Sequence, residues 1–170
     1  MAAANISVAR LRELLNFCLD TGVFTWRFSR KGRKGLAGAQ AGTVDRKGYR
    51  YICLDRNKAG AHRLAWLYVH GTLPSDEIDH INGCRDDNRI LNLRLATPTL
   101  NRENLRTAKK QNKSSGLLGV SRCLGNRDLR FRARITVGGK EISLGRFDTA
   151  EEAHAAYLEA KRKHHPGCTI

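Results

Sequence analysis

An adjacent acid and imidazole, Asp79 and His80, are the residues whose types and spacing best suit catalysis, and Asn101 follows them at a distance. Carboxylate and amide oxygens are the ligands that Mg²⁺ prefers, and Mg²⁺ usually keeps several waters and substrate phosphate oxygens as well. Asp79 and Asn101 can therefore supply two protein oxygens to a divalent metal ion. His80, whose imidazole titrates near neutral pH, can activate a water. This chemistry is metal-assisted hydrolysis of a phosphodiester bond.

Two strands separated by a loop are predicted to position the first two of these side chains. Asn82-Gly83 indicates a tight turn after the first strand. Beyond the loop, Leu91, Leu93 and Leu95 alternate with polar residues, as in a half-buried strand. Because successive side chains of a strand point to opposite faces, His80 can face the phosphate while its neighbour holds the metal ion, provided that His80 ends its strand or lies in a bend.

A helix is predicted to present the third side chain. Thr97-Pro98 is a favourable helix start, with Thr as the N-cap and Pro in the first helical position. Asn101 then lies one turn into the helix. An Asp followed by a His at a strand end is, taken alone, more often a satisfied surface pair than a catalytic one. We interpret His62 and His70 as structural or phosphate-contacting residues.

These residues lie in a segment that resembles the HNH endonucleases, especially the phage and intron-encoded homing type. The resemblance rests on four stretches: HRLAWLYVHG at 62–71, DHING at 79–83, NRILNLR at 88–94 and TLNREN at 99–104. It implies a ββα-metal nuclease unit over 61–106, in which Asp79 and Asn101 bind one divalent metal ion, Mg²⁺ or Mn²⁺. His80 is then the general base.

Two further asparagines have structural roles in this resemblance. It implies that Asn92 tethers the loop through backbone hydrogen bonds, and we interpret Asn88 as a turn residue, not a ligand. The last motif position is Asn101, where many members of the family carry His. The site is therefore an H-N-N variant, which the homing subgroup uses.

The charge of the chain indicates its partner. The 170 residues contain 31 Lys and Arg against 16 Asp and Glu, a formal net charge of +15. Such an excess favours a polyanion, because neutralising phosphates releases condensed counterions. No stretch has the length of a transmembrane span. We expect double-stranded DNA as the partner and no membrane.

The five cysteines are scattered, odd in number and without a CxxC pair. This pattern favours reduced thiols, so neither a disulfide framework nor a structural zinc site is expected. The first residues lack a basic segment followed by an apolar run, so no secretory signal is predicted. We therefore expect an intracellular protein, in the cytoplasm of a bacterial or phage-infected cell.

Residues 1–60 are predicted to support the nuclease unit. Apolar residues at helical spacing predict a helix over 7–19, with Cys18 on its apolar face, and Val23–Phe28 alternates as a strand. A basic loop over 29–42 and a hairpin near 49–59 follow. Arg63–His70 is a predicted helix that Gly71 ends, and Trp66 is predicted to be part of the core.

A linker is predicted at 107–115, which is basic and polar, and a second domain at 116–170. In the stretch 129–137, apolar residues alternate with Arg130, Arg132 and Arg134, so a strand would place the arginines on one face, with no interleaved acids. Gly138-Gly139 indicates a hairpin turn. Thr149 with Glu152 forms a capping box before a helix with an alanine-rich face.

This second domain resembles the AP2 DNA-binding domain, a three-stranded sheet packed on one helix. The resemblance rests on GVSR at 119–122, RFRARI at 130–135 and LGRFDTAEEAHAAY at 144–157. It implies that five arginines face DNA: Arg122, Arg130, Arg132, Arg134 and Arg146. Phe131 stands where the domain usually has a Trp, which leaves affinity and base preference open.

The sequence as a whole predicts an α+β chain that joins a DNA-cutting unit to a DNA-reading unit, as in homing or phage endonucleases. Two other classes of function stay open at this stage. One is a DNA-binding regulator whose nuclease unit is inactive. The other is a basic RNA-binding or ribosome-associated protein.

Overall fold

A computed structural model describes residues 6–29, 36–108, 112–123 and 130–170 of the chain. The chain divides into two compact units, Met1–Thr97 and Pro98–Ile170. Both are built of helices and small antiparallel sheets, which agrees with the predicted α+β class. The division falls ahead of Pro98, whereas the sequence placed a linker at 107–115, and the predicted domain boundaries stay a prediction.

The first unit begins with a short helix and a hairpin. Helix α1 (Val8–Leu14) leads directly into strand β1 (Leu15–Cys18), which pairs with β2 (Val23–Trp26). The prediction of one helix over 7–19 is therefore wrong at its C-terminal end. Pairing brings the Phe17 and Phe24 rings to a centroid distance of 4.5 Å, and Cys18 is exposed.

A three-stranded sheet follows in the order β3-β4-β5, with strands Thr43–Val44, Arg50–Leu54 and Asn57–Gly60. The predicted hairpin is confirmed: Asp55 and Arg56 form its two-residue turn, both with positive φ. Strand β3 was not predicted. Of the predicted basic loop, residues 30–35 lie outside the described residues.

Helix α2 (Ala61–His70) packs on this sheet. It ends at Gly71, whose φ of 80° is left-handed, as the sequence predicted. Leu64 is fully buried with Ile52 in the core of the unit, and Trp66 packs against that core, as predicted. Burial of this apolar helix face removes hydrophobic surface from water and so stabilises the unit.

Strands β6 (Glu77–His80) and β7 (Leu93–Ala96) form an antiparallel pair, joined by a loop over 81–92. The loop ends in a single turn of 3-10 helix, Ile90–Asn92. Leu93 is buried in the core, but Leu91 lies in the 3-10 turn and is 92% exposed. The predicted strand alternation is therefore wrong for Leu91.

The second unit starts with helix α3 (Pro98–Glu103), which begins at the predicted residue. Strands β8 (Val120–Arg122), β9 (Phe131–Val137) and β10 (Lys140–Phe147) then form a sheet in the order β10-β9-β8. Helix α4 (Ala150–His164) packs on all three strands. The unit thus contains the predicted three-stranded sheet on one helix.

The glycine turn and the capping box that the sequence predicted in this unit are confirmed. Gly138 and Gly139 form the turn between β9 and β10 with positive φ. The side chain of Thr149 accepts a hydrogen bond from the Glu152 amide at 3.2 Å, and the Glu152 carboxylate accepts one from the Thr149 amide at 3.3 Å. Alternate residues of β9 and two residues of α4 form the core: Ala133, Ile135, Ala153 and Tyr157.

The C-terminal residues hold α3 within the second unit. The Gly167 amide donates to the Glu103 carboxylate at 3.2 Å, and the Thr169 hydroxyl donates to the Asn104 side chain at 2.8 Å. The buried Lys161 ammonium donates to the Leu105 carbonyl, just beyond the end of α3. Residues 112–115, predicted as linker, also join the unit: the Ser115 hydroxyl donates to the Val120 carbonyl at 2.8 Å.

No helix in the four described ranges is both long enough and apolar enough to cross a membrane.

We expect Gly119→Ala to destabilise the second unit more than Gly116→Ala. Both glycines have positive φ, 76° and 72°, so either alanine costs about 1–2 kcal/mol of backbone strain. A Cβ at position 119 would in addition overlap the Tyr157 ring, whereas position 116 faces open space. Overpacking adds about 1–3 kcal/mol. If denaturant unfolding showed that both variants lose the same free energy of unfolding, the result would contradict the close contact between Gly119 and Tyr157.

Candidate active site

Strands β6 and β7 position the acid and the imidazole. Asp79 stands opposite Arg94, and His80 stands opposite Leu93. His80 is the last residue of β6, the position that its predicted role requires. Both side chains are buried: Asp79 is 8% exposed and His80 is 3% exposed. Solvent around these two groups is therefore largely excluded, which strengthens electrostatic interactions there.

The Asp79 carboxylate is paired with Arg94. The guanidinium donates to Oδ2 twice, from Nη2 at 3.0 Å and from Nε at 3.2 Å. A buried carboxylate needs such a partner, because transfer of an isolated charge into the interior is costly. Arg94 is part of the motif stretch at 88–94, but its sequence position alone does not indicate a role in the site. Only the cross-strand register reveals that the two residues face each other.

His80 lies against two other rings. The His62 ring stands edge-on to it at a centroid distance of 5.3 Å, and the Tyr49 ring lies at 6.0 Å. Burial lowers the pKa of His80 from its ordinary value, and the hydrogen bond to Asn88 opposes that shift. The imidazole is thus neutral at physiological pH, which is the state that can accept a proton from water.

His62 is itself a neutral ring. Burial, and after it electrostatic repulsion from His80 when that ring is protonated and from Arg63, lowers the pKa of His62 to about 4. Its Nδ1 is buried and has no hydrogen-bond partner in the described part of the chain. His70, the other histidine of α2, is exposed at the end of the helix and packs on the Trp66 ring. The roles predicted for both histidines stay predictions.

Asn92 joins the two ends of the loop. Its side-chain Oδ1 accepts a hydrogen bond from the Asn82 amide at 3.0 Å, and its Nδ2 donates to the Asp87 carbonyl at 2.8 Å. Its own carbonyl accepts from the Ile81 amide at 2.8 Å. The side chain is buried, so these bonds fix the loop at the point where β6 ends.

Charged pairs complete the loop. Arg50 of β4 donates one hydrogen bond to each carboxylate oxygen of Asp86, from Nε and from Nη2, at 2.8 Å each. Asp87 accepts from Arg89 at 2.6 Å and from the Asn82 amide group at 2.7 Å, and these hydrogen bonds lower the pKa of Asp87 to about 2. The pairing of Arg50 with Asp86 was not predicted from the sequence, because the two residues lie far apart in the chain.

Asn101, the second predicted metal ligand, lies on α3 in the second unit. Within the described ranges, no group of three or more His, Cys, Asp and Glu residues could hold a metal ion. None of the five cysteines forms a disulfide there. The predicted donors, the Asp79 carboxylate and the Asn101 amide oxygen, are of the type that Mg²⁺ and Mn²⁺ prefer, and their role as metal ligands stays a prediction.

The predicted DNA-facing arginines form a stripe on the β8–β10 sheet, with one exception. Arg132 of β9 is paired in register with Arg146 of β10, Arg134 shares that face by alternation, and Arg130 directly precedes β9. Arg122 is paired instead with Phe131, on the face that carries the core, and its guanidinium lies 5.8 Å from that ring.

Acids from the neighbouring strand and loop lie within the stripe. Glu141 accepts two hydrogen bonds from Arg134 at 3.0 Å and lies 3.7 Å from Arg132. Asp148 lies 3.6 Å from Arg130. The prediction of an arginine face without interleaved acids is correct within β9 but wrong for the sheet, because cross-strand register adds Glu141.

Comparison with known families gives one match: the HNH endonuclease family model matches residues 59–106. The matched segment runs from the end of β5 through α3 and contains Asp79, His80, Asn92 and Asn101. No curated protein and no solved structure matched the chain. The match supports an HNH nuclease, and that family acts on DNA, generally with a divalent metal ion.

We expect His62 to make the protein less stable as the pH falls from about 6.5 to 4. The unfolded chain takes up a proton on this residue near pH 6.5, whereas the folded chain does so only near pH 4, because its pKa is lowered to about 4. Unfolding is therefore favoured progressively across that window, by at most ~1.4 kcal/mol per pH unit.

Denaturant unfolding at several pH values tests this expectation. His62→Phe keeps a ring against His80 and should show a shallower decline than the wild type. His70→Phe makes the same change at an exposed site and should retain the wild-type slope. A wild-type slope in His62→Phe would show that His62 is not buried as a neutral ring.

Proposed function

We propose that the protein is a metal-dependent DNA endonuclease that hydrolyses phosphodiester bonds, with His80 as its general base. The observation that carries this proposal is a buried, neutral imidazole at the end of β6, beside a buried carboxylate, in the segment that matches the HNH endonucleases. A histidine can accept a proton from water only in its neutral form. That form predominates when the working pH lies above the pKa of the histidine.

The chemistry assigned to the chain's own residues is a single displacement. His80 accepts a proton from a water as the water oxygen attacks phosphorus, and the bond from phosphorus to the leaving oxygen breaks. Asp79 and Asn101 would hold the metal ion, Mg²⁺ or Mn²⁺, as the resemblance to the family implies. When bound, such an ion supplies Lewis-acid stabilisation of the phosphate and of the leaving oxygen.

Arg94 keeps the Asp79 carboxylate in one orientation. Both of its hydrogen bonds end on Oδ2. Preorganised ligands bind and act better than mobile ones, because no ordering is needed on binding. We assign Arg94 to the positioning of Asp79, a role that the sequence did not reveal.

The second unit is proposed to bind double-stranded DNA through its arginine stripe, as the resemblance to AP2 domains implies. Arg132, Arg134 and Arg146 share one face of the sheet, Arg130 directly precedes β9, and the net charge of +15 supports a phosphate partner. Arginines on such a sheet can contact phosphates and guanine edges. The two units together would suit the homing or phage type of endonuclease, which cuts at a preferred site.

Cleavage of supercoiled plasmid in Mg²⁺ or Mn²⁺ tests the nuclease. We expect the wild type to nick or linearise the plasmid and EDTA to abolish the reaction. His80→Ala should lower the rate by about 10²- to 10⁴-fold, because the proton acceptor is lost. His164→Ala, which removes an exposed histidine of α4, is the matched control and should cleave like the wild type.

Binding of plasmid without cleavage in either metal would overturn the enzyme proposal. It would leave a DNA-binding protein with an inactive nuclease unit as the function of the chain.

We expect Glu141→Gln to strengthen binding to duplex DNA and to make that binding more sensitive to salt. The substitution removes the carboxylate that pairs with Arg132 and Arg134, so both guanidinium groups become available to phosphates. Glu159→Gln makes the same change of net charge at an exposed position of α4 and should alter affinity less. Equal effects of the two variants in fluorescence anisotropy titrations would argue against the stripe as the binding face.

A further inference from the structure

Asn88 is the most deeply buried polar residue of the active-site loop, although the sequence indicates only a turn residue. It is 1% exposed. Its side-chain Nδ2 donates a hydrogen bond to the Asp86 carbonyl at 2.9 Å. Its Oδ1 lies 3.4 Å from Nε2 of His80. The two ends of one amide thus contact the loop backbone and the proposed general base.

The orientation of this amide is set by its partners. If oxygen and nitrogen were exchanged, Oδ1 would face the Asp86 carbonyl oxygen, and two acceptors would oppose each other. The oxygen therefore faces His80. Since an amide oxygen only accepts hydrogen bonds, Nε2 of His80 must be the ring nitrogen that carries the proton.

The residues around Asn88 hold it in place. Arg50 fixes Asp86 through two hydrogen bonds of 2.8 Å. On the other side, Gly22 approaches so closely that an added Cβ would overlap the backbone of Asn88 and Arg89. The His62 and Tyr49 rings pack against His80 itself. Contacts on several sides therefore restrain both partners of the hydrogen bond.

We propose that Asn88 is a positioning residue that holds His80 as its Nε2–H tautomer, so that Nδ1 is the atom that takes the proton from water. In the neutral tautomer with hydrogen on Nε2, the lone pair lies on Nδ1. After transfer both nitrogens carry protons, Nε2–H still donates to Asn88, and Nδ1 returns its proton to solvent. The inference rests on the proposed function only in taking His80 as the base.

The tautomer can be read without any cleavage reaction. The probe is ¹⁵N NMR of the imidazole nitrogens in the full-length, metal-free protein, with His80 assigned by comparison with His80→Gln. We expect the proton on Nε2, in slow exchange with water. A proton on Nδ1 in the wild type would overturn the inference, whether or not the protein cleaves DNA.

Two substitutions separate positioning from general stability. Asn88→Leu removes the acceptor, so the Nε2 proton should exchange faster and kcat should fall by about 10- to 100-fold while KM changes little. Asn88→Gln keeps both an amide oxygen and an amide donor and should recover part of the slow exchange and of kcat. Asn16→Leu makes the same change as Asn88→Leu at an exposed residue of β1 and should behave as the wild type.

The outcomes distinguish the two proposals. If the wild type binds DNA but cleaves none, the nuclease proposal fails and the NMR result still decides the tautomer. If Asn88→Leu folds, as its melting curve shows, but keeps wild-type proton exchange and kcat, the inference is wrong. If Asn88→Leu does not fold, the wild-type spectrum and Asn88→Gln decide the question.

Discussion

The active-site loop depends on one physical constraint: a polar group that is buried must find a hydrogen-bond partner. Asp79, His80, Asn88 and Asn92 are all buried around the loop 81–92. An unsatisfied buried donor or acceptor costs about 1–3 kcal/mol, so each missing bond would be a large fraction of the stability of a small unit. These contacts form a connected set in which the loop backbone, two asparagines and two ion pairs restrain one another.

The same constraint explains why His80 suits proton transfer. Burial disfavours the imidazolium and is the largest influence on the pKa of His80, whose contacts include two rings and a neutral amide. Asp79, its neighbour in β6, has its charge compensated by Arg94. An acid and a base that are adjacent in sequence are therefore given different environments: one is paired with a cation and the other is kept neutral. Separate environments of this kind are how proteins assign different roles to adjacent titratable groups.

Much of the fold could be predicted because its signals are local. Gly71 ends α2, Gly138-Gly139 turns between β9 and β10, and Thr149 caps α4, each through contacts within a few residues. The end of α1 could not be predicted. Residues 15–18 continue the helical spacing of apolar residues, but their pairing with β2 is a tertiary contact that overrides it.

The candidate site shows the same limit. The resemblance of DHING to a family motif indicated Asp79 and His80, whereas Arg94, Arg50 and Asp86 depend on register and on loop packing. Asp79 and Arg94 are separated by the whole loop and meet only because β6 pairs with β7 in one register. Asn88 was visible in the sequence, but its contact with His80 required the loop to be closed by Asn92.

In the arginine stripe, an acidic residue of the same chain partly neutralises the positive charge of the arginines. Ion pairs between exposed side chains contribute little to stability, so Glu141 cannot be explained as a stabiliser of the sheet. Its effect is on the arginines: Arg132 and Arg134 are held against it, and a phosphate must displace the carboxylate before it binds them. Such competition lowers sequence-independent affinity and leaves the geometry of the guanidinium groups defined. If the chain cuts DNA at a preferred site, as proposed, weaker binding elsewhere would improve the ratio between specific and non-specific sites.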